Sequence, residues 1–298
     1  MDLLAKVPRL PRLGETLIGS HFHMGFGGKG ANQAVMAAKL GAKVTMVTKL
    51  GRDMLGEATY KNYQDNGIGT GYISWSDAGS GVAPIFVDDE GNNFIVIVPG
   101  ANFDLTPEDV REAESAISEA DVVVCQLEVP HETTLEALRL AKRGGAVTLF
   151  NPAPGVPLSD EFFRLSDIIA PNEVEAGDML GKRVETLDDA EEAVREFLRR
   201  GSRVGIVTLG ERGAMVGDDS GVVHVPSLSV NAVDSTGAGD AFIGTMAYFI
   251  ATGVPLLRTV RIANVAAAIS VTRVGTQVSF PSREEIDQAC AGAFKGER

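Results

Sequence analysis

From about residue 102 onward, short apolar runs alternate with helical patterns, and this alternation constrains the fold more than any other feature. The runs typical of buried strands lie at 121–127, 146–150, 167–170 and 203–209. Helical patterns lie at 131–143, 187–200, 238–252, 255–273 and 282–292. This order predicts a doubly wound α/β fold, in which helices flank a mostly parallel sheet. A helix at 31–40 and a strand at 43–49 are expected to join the same sheet.

Two other stretches, 3–28 and 72–98, contain short alternating runs broken by Pro, Gly and Asp. Residues 88–92 predict a hairpin turn between strands at 83–87 and 94–98. We expect these pieces to form a small antiparallel sheet that projects from the main layer as a lid. An isolated small sheet buries one face poorly, so it is expected to cover a ligand, to pair with another subunit, or to do both.

Charge and composition exclude several classes of partner. The 298-residue chain has a formal net charge of −13 and a pI of about 4.8, so it should repel nucleic acid and anionic membranes. Its apolar runs are too short to span a bilayer, and its N-terminus shows no signal-peptide pattern. Cys125 and Cys290 lie far apart in apolar contexts, which predicts free thiols and a cytoplasmic protein.

The segment 233–242 carries the clearest chemical signal. Gly237, Ala238 and Gly239 stand directly before Asp240, and a long apolar helical pattern follows. Small residues at a helix start let several backbone N–H groups point at one spot, which suits a phosphate. A carboxylate beside such an anion site is suited to take a proton from an attacking nucleophile. The segment therefore predicts phosphoryl transfer.

A second glycine-rich segment covers residues 25–32. It contains the spacing G-x-G-x-x-G, but no continuous apolar strand precedes it, which argues against a dinucleotide site. Gly30 follows Lys29 where a phosphate-binding P-loop has Ser or Thr. The alternatives left are a plain glycine turn and a backbone surface against a polar ligand, where Lys29 and Asn32 bind hydroxyls and Gly28 and Gly30 leave room.

Polar residues follow several predicted strands, where doubly wound sheets bind ligands. Asn172 and Glu175 lie three apart at a helix start, which suits either hydrated Mg²⁺ or simple helix capping. Glu128 is either a ligand or a solvated carboxylate, and the turn at 208–213 is suited to phosphates or ribose. Asn151, before Pro152, is expected in a rigid turn at the end of its strand.

The order of these motifs resembles the ribokinases, within the carbohydrate and nucleoside kinases named after the minor phosphofructokinase. The resemblance covers nearly the whole chain as a single domain. The stretches that carry it are 27–34, 151–154, 171–173, 234–240 and 272–281. It implies a ribokinase-like fold, ATP and Mg²⁺ as cofactors, and a homodimer formed through the lid sheet. It implies D-ribose as the sugar, phosphorylated at O5. The open alternatives are a sister kinase for fructose, deoxyribose or adenosine, and an inactive sugar-binding protein.

The resemblance also implies a role for each matching residue. Asp240 is the implied general base, and the amides of Gly237, Ala238, Gly239 and Asp240 form the implied anion hole. The residues implied to hold the sugar are Asp2, Gly28, Lys29, Gly30, Ala31, Asn32, Glu128 and Asp240. Those implied to contact the nucleotide are Asn172, Thr208, Leu209, Gly210, Glu211, Arg212, Gly213, Gly239 and Asn264. Glu175, with Asn172, is implied to organise Mg²⁺ through water.

An activating monovalent cation, typically K⁺, is implied beside the anion hole. The matching positions, several of them acting through backbone carbonyls, are Asp234, Thr236, Ser270, Arg273, Gly275 and Ser279.

The start of the chain departs from the family pattern. Ribokinases usually begin with a strand that ends Gly-Ser-x-Asn-x-Asp, and only Met1-Asp2 matches its last part. The family asparagine that binds the sugar is therefore absent from this match. A central strand of the sheet is absent as well. We expect the gene product to be longer at its N-terminus. A real loss of this strand would expose the neighbouring strands and weaken sugar binding.

Overall fold

The computed structural model describes residues 1–293, and the strands among them lie in three sheets. The strands are β1 Asp2–Lys6, β2 His21–Gly25, β3 Thr45–Gly51, β4 Gly69–Ser76, β5 Ala83–Val87, β6 Asn93–Ile95, β7 Val122–Cys125, β8 Val147–Phe150, β9 Ile168–Ile169, β10 Val204–Thr208, β11 Ala214–Asp218 and β12 Gly221–Val225. The α-helices are α1 Lys29–Lys39, α2 Met54–Asp65, α3 Pro107–Glu112, α4 Glu114–Ser118, α5 His131–Gly144, α6 Asp160–Leu165, α7 Glu173–Leu180, α8 Leu187–Arg199, α9 Ala238–Ala251, α10 Leu256–Ser270 and α11 Arg283–Ala293.

The main sheet has six strands in the order β12-β11-β10-β9-β8-β7. Strands β7 to β10 run parallel, and β11 and β12 add an antiparallel edge. Successive side chains of β10 serve opposite faces, since Ile206 packs into one core cluster and Val207 into another. Burial on both faces explains why these strands read as continuous apolar runs. The predicted doubly wound fold is confirmed.

Helix α9 is the element that brings the main site to the sheet. It is apolar almost all round, and most of its residues from Asp240 to Phe249 are buried. It packs against α10 and α1. The helix begins after Gly237, whose φ of 79° is a backbone conformation that favours glycine. Its first turn therefore stays at a fixed place beside α1.

The lid is a four-stranded sheet in the order β2-β1-β5-β6. Residues 88–92 form the predicted turn, closed by a hydrogen bond from the Asp88 N–H to the Asn92 carbonyl oxygen at 3.0 Å. Two details of the prediction are wrong. The sheet is mixed, because β1 runs parallel to β5. Residues 72–76 belong to β4, which pairs with β3 outside the lid.

The strand predicted at 43–49 forms as β3, but its assignment to the main sheet is wrong. Strand β3 pairs only with β4, in a separate two-stranded parallel sheet. A cavity of about 720 Å³ is lined by both β3 and β7, together with small side chains such as Ala37 and Ala247. No strand among residues 1–293 pairs with the outer edge of β7.

No helix among residues 1–293 combines the length and apolar character that a membrane crossing requires.

Candidate active site

Asp240 lies in the first turn of α9, and two side-chain amides hold its carboxylate. Asn32 Nδ2 donates to Asp240 Oδ2 at 2.9 Å, and Gln33 Nε2 donates to Oδ1 at 2.9 Å. Only 7% of the Asp240 surface is exposed. Burial raises the pKa of Asp240 above its ordinary value, although Lys29 and the two amides oppose this effect. A carboxylate held in this way is a fixed proton acceptor with an increased basicity.

The backbone before Asp240 presents unused hydrogen-bond donors. No described residue accepts a hydrogen bond from the N–H groups of Gly237, Gly239 or Asp240. The N–H of Ala238 differs, because it donates to the Ser235 carbonyl oxygen at 3.2 Å. The space over Gly239 is open, since an added Cβ atom would meet no atom within 4 Å. Free donors at a helix N-terminus that face open space can receive an anion.

A cavity of about 200 Å³ opens in front of these donors. It collects residues that lie far apart in the sequence and that follow different strands. Its lining consists of Lys29, Asn151, Ala170, Asn172, Glu175, Thr208, Ser235, Gly237, Gly239, Asp240 and Ile243. The structure therefore brings the predicted base, anion hole and Mg²⁺ residues to one place.

Lys29 is the cation of this cavity. Its Nζ lies 3.6 Å from Glu175 Oε1. Burial opposes its charge, but the surrounding carboxylates of Asp240, Glu175 and Glu128 outweigh burial and raise the pKa of the lysine. The ammonium group therefore stays charged at neutral pH, where it can balance carboxylates or a bound phosphate.

Asn172 and Glu175 form a reciprocal capping box at the start of α7. Asn172 Oδ1 accepts from the Glu175 N–H at 2.8 Å, and Glu175 Oε2 accepts from the Asn172 N–H at 2.9 Å. In the structure both side chains therefore cap the start of α7, as in the capping alternative. This capping leaves Glu175 Oε1 directed toward Lys29 and the cavity. One carboxylate oxygen that faces a small polar cavity beside Lys29 fits Mg²⁺, which keeps several waters and binds through few protein ligands.

The predicted sugar residues meet where the lid joins α1. Glu128 Oε2 accepts from the Lys29 N–H at 2.8 Å. Asp2 at the start of β1 presses against Gly27, where a Cβ atom would lie 2.2 Å from Asp2 Oδ1. Burial raises the pKa of Asp2 and of Glu128 above their ordinary values. Gly28, Gly30, Ala31 and Glu128 line the mouth of the larger cavity, next to Met1.

Some of the predicted nucleotide residues lie in or beside the small cavity, whereas others lie outside it. Thr208 lies in the small cavity, and its backbone bridges to Asn172. The turn formed by Gly210, Glu211 and Arg212 follows it, and the Leu209 N–H donates to the Gly213 carbonyl oxygen at 2.8 Å.

Leu209 is 1% exposed, so its side chain belongs to the core, and only its backbone can meet a ligand. Asn264 is outside the small cavity, and its amide nitrogen donates to the Val225 carbonyl oxygen at 3.1 Å.

Most of the predicted cation positions lie in two loops that are bonded to each other, and Ser270 is the last residue of α10. Asp234 Oδ1 accepts from the N–H of Thr236, and Oδ2 accepts from the N–H of Gly275, both at 2.9 Å. Ser270 and Ser279 are buried and donate to backbone carbonyl oxygens. Arg273 pairs with Glu285 on α11. Asp234 and the loop that contains Gly275 thus lie beside the turn that leads into α9, and both Asp234 carboxylate oxygens accept from backbone N–H groups.

Three polar residues of the site carry no role in the sequence prediction. Gln33 binds Asp240 and also donates to Asn151 Oδ1 at 3.0 Å, and Gln126 Nε2 donates to Gln33 Oε1. Asn151 was expected only in a rigid turn. The one available signal was a pair of amide residues, Asn32 and Gln33, at the start of an apolar helix.

The chain resembles known sugar kinases along nearly its whole length. Residues 1–283 match the pfkB family of carbohydrate kinases. Ribokinase of Mus musculus is 43% identical over 294 residues, which cover 97% of this chain and 91% of the mouse protein. Deoxyribokinase of Salmonella typhi is 41% identical over 290 residues, 97% of this chain and 95% of that protein.

The fold comparison agrees with the sequence comparison. The structure of Arabidopsis thaliana ribokinase in complex with ribose and ATP superposes with a TM-score of 0.89. The two chains are 28% identical, and the match covers 96% of this chain and 94% of that one. A buried carboxylate, unpaired backbone amides and a lysine around one cavity are groups that phosphoryl transfer can use. The chain therefore belongs to the pfkB family of carbohydrate kinases and is an ATP-dependent sugar kinase.

Proposed function

We propose that this kinase phosphorylates D-ribose at O5 to give D-ribose 5-phosphate. The observation that carries the proposal is the buried Asp240 carboxylate beside the free N–H groups of Gly237, Gly239 and its own backbone. The relatives that support ribose are the mouse ribokinase and the Arabidopsis ribokinase that binds ribose and ATP.

In the proposed step the hydroxyl oxygen of the sugar attacks the γ-phosphorus atom of ATP. Asp240 accepts the proton that this hydroxyl group loses. The new P–O bond forms while the bond to the β-phosphate oxygen breaks, and ADP leaves with the bonding pair. Positioning and charge stabilisation dominate such reactions. The free N–H groups and Lys29 lie where negative charge on the transferred group would be stabilised.

Metal ions are a further part of the proposal. We assign Mg²⁺ to Glu175 Oε1, acting through water, and a monovalent cation to the loops around Asp234 and Gly275. Bound Mg²⁺ would neutralise phosphate charge. A cation between the two loops would steady the turn that leads into α9, without touching the substrate.

A substrate panel tests the choice of sugar. Deoxyribose is the principal rival, because the Salmonella typhi relative is a deoxyribokinase. We expect the highest kcat/KM for ADP formation with ribose, compared with deoxyribose, fructose and adenosine. A higher kcat/KM with any of the others would overturn the choice, and no turnover with any of them would favour an inactive sugar-binding protein.

We also propose that the protein acts in the cytoplasm as a homodimer joined through the lid. Support for the location comes from Cys125 and Cys290, which are both free thiols. Support for the dimer comes from the exposed apolar side chains of the lid. They include Phe22, Met24, Ile95, Val96 and Ile97.

A further inference from the structure

A continuous chain of side-chain amides runs from α2 to Asp240. Asn66 Nδ2 donates to Asn62 Oδ1 at 3.3 Å, and Asn62 Nδ2 donates to Gln277 Oε1 at 2.9 Å. Gln277 Nε2 donates to Asn32 Oδ1 at 3.1 Å, and Asn32 Nδ2 donates to Asp240 Oδ2 at 2.9 Å. From Asn62 onward, each amide accepts with its oxygen and donates with its nitrogen in the same direction, so each bond polarises the next one toward the carboxylate.

The direction of this chain matters because an amide can present either end. If the side-chain amide of Asn32 rotated by half a turn, its oxygen would face the Asp240 carboxylate. The partial negative charge of that oxygen would then repel the carboxylate. The donor on Gln277 prevents this, since it occupies Asn32 Oδ1. Asn32 and Gln277 are 4% and 8% exposed, so water has little access to replace that donor.

Gln277 lies in the loop between α10 and α11, and several bonds hold this loop. Lys39 Nζ donates to the Gln277 carbonyl oxygen at 2.9 Å, and the Thr276 hydroxyl donates to the Phe26 carbonyl oxygen at 2.8 Å. The same loop reaches Asp234 through the N–H of Gly275. One loop therefore contacts both the turn before α9 and the amide that binds the base.

We propose that Gln277 is a positioning residue, which acts through Asn32 to keep the Asp240 carboxylate ionised and correctly oriented, with Asn62 fixing Gln277 in turn. The inference rests on the proposed role of Asp240 as base. It gives a function to a loop residue that has no direct contact with Asp240.

Other charged groups around these residues set the background for a pH test. Those that face Asp240 come from α1, α7, β1 and the segment after β7, and they are Lys29, Glu175, Asp2 and Glu128. Those around the Gln277 loop are Lys39, Arg273 and Glu285. None of them changes in the variants below, and Gln277→Met adds no new charge, so a shifted profile in Gln277→Met reports the amide chain.

The direct test compares wild type with Gln277→Glu and Gln277→Met in kcat/KM against pH. Glutamate at 277 cannot donate to Asn32 when ionised, so we expect Asn32 to turn its oxygen toward Asp240. We expect kcat to fall on the order of tenfold at neutral pH, as for a lost hydrogen bond to a charged group. We also expect the acid limb of the profile to move to higher pH in Gln277→Met, which removes the donor without adding a charge. Unchanged kcat and an unchanged acid limb would overturn the proposal.

Two controls separate positioning from simple packing. Gln64→Glu makes the same substitution at an exposed position of α2 and should leave the profile in place. Asn62→Leu should lower kcat in the wild-type background but add nothing in the Gln277→Met background, because the two residues act in series. A lowered unfolding temperature with an unmoved acid limb, or additive losses in the double variant, would assign Gln277 a structural role only.

A measurement without substrate distinguishes this proposal from the proposed function. In the free protein, the side-chain NH₂ of Asn32 should exchange slowly with solvent by NMR and should exchange faster in Gln277→Met. Equal exchange in both proteins would refute the amide chain whatever sugar is used. If the exchange differs but wild type turns over no sugar, the chain stands and the proposed function fails.

Discussion

At the residue scale, the local environment of Asp240 determines what its carboxylate can do. Burial raises its pKa, while Lys29 and the amides of Asn32 and Gln33 limit the rise. The result is a carboxylate that is more basic than that of an exposed aspartate.

This balance predicts a pH dependence. The reaction needs ionised Asp240, so kcat/KM should fall as the pH drops through a pKa that lies above the ordinary 3.8. Lys29→Met removes the cation that favours the ionised form and should move this acid limb to higher pH. Lys61→Met, which changes an exposed lysine of α2, serves as the control. An acid limb that stays in place or moves to lower pH in Lys29→Met would contradict the account.

Two neighbouring glycines predict opposite results for the same substitution. Gly239→Ala adds a methyl group in open space, so we expect the protein to keep its unfolding temperature but lose at least about tenfold in kcat, because the methyl crowds the free N–H groups. Gly237→Ala forces alanine to a φ of 79°, and we expect it to lose about 1–3 kcal/mol in free energy of unfolding. Thermal unfolding and steady-state kinetics of both variants check this pair. Full activity in Gly239→Ala would argue against an anion at this turn.

At the element scale, Asp109 joins three elements through its carboxylate. It binds Lys49 of β3 at 2.8 Å and Ser74 of β4 at 3.1 Å, and it caps α3 through Thr106. Although burial acts in the opposite direction, these bonds lower the pKa of Asp109 to about 2. The side chain is 17% exposed, so solvent screens the ion pair only in part. The two-stranded sheet is thereby attached to the start of α3.

Asp109→Asn should therefore lower the free energy of unfolding by about 1–2 kcal/mol at pH 7. Because the folded pKa is depressed, the contribution is present above the unfolded pKa of about 3.8 and disappears as the pH falls through about 2. Denaturant unfolding at pH 7 and at low pH measures this. Asp219→Asn, at an exposed turn, should change little. An equal loss at both pH values would contradict the assignment.

Local patterns were enough to predict most elements, because each depends on neighbouring residues. The helix predicted at 238–252 forms at Ala238–Ala251, and the strand predicted at 203–209 forms at Val204–Thr208. Which strand pairs with which depends on distant residues, so the separation of β3 from the main sheet was not predicted. The role of Gln33 was not predicted for the same reason, because its hydrogen bond to Asp240 joins residues 207 positions apart.

At the scale of the whole molecule, the exposed face of the lid predicts self-association. Phe22 and Met24 alternate along β2 and are 66% and 52% exposed. The double variant Phe22→Glu with Met24→Glu should be a monomer in light scattering at micromolar concentration, whereas wild type should be a dimer. Val223→Glu changes an exposed apolar residue outside the lid and should leave the dimer intact. Monomeric wild-type protein would refute the lid interface.

In the proposed mechanism, Asp240 is the base of a ribose kinase. The most direct measurement is ribose-dependent ADP formation by wild type and by Asp240→Asn, with ribose binding measured separately by calorimetry. We predict that Asp240→Asn loses about 10²–10⁴-fold in kcat and keeps nearly the same ribose affinity. Turnover of Asp240→Asn within a few-fold of wild type would contradict the account.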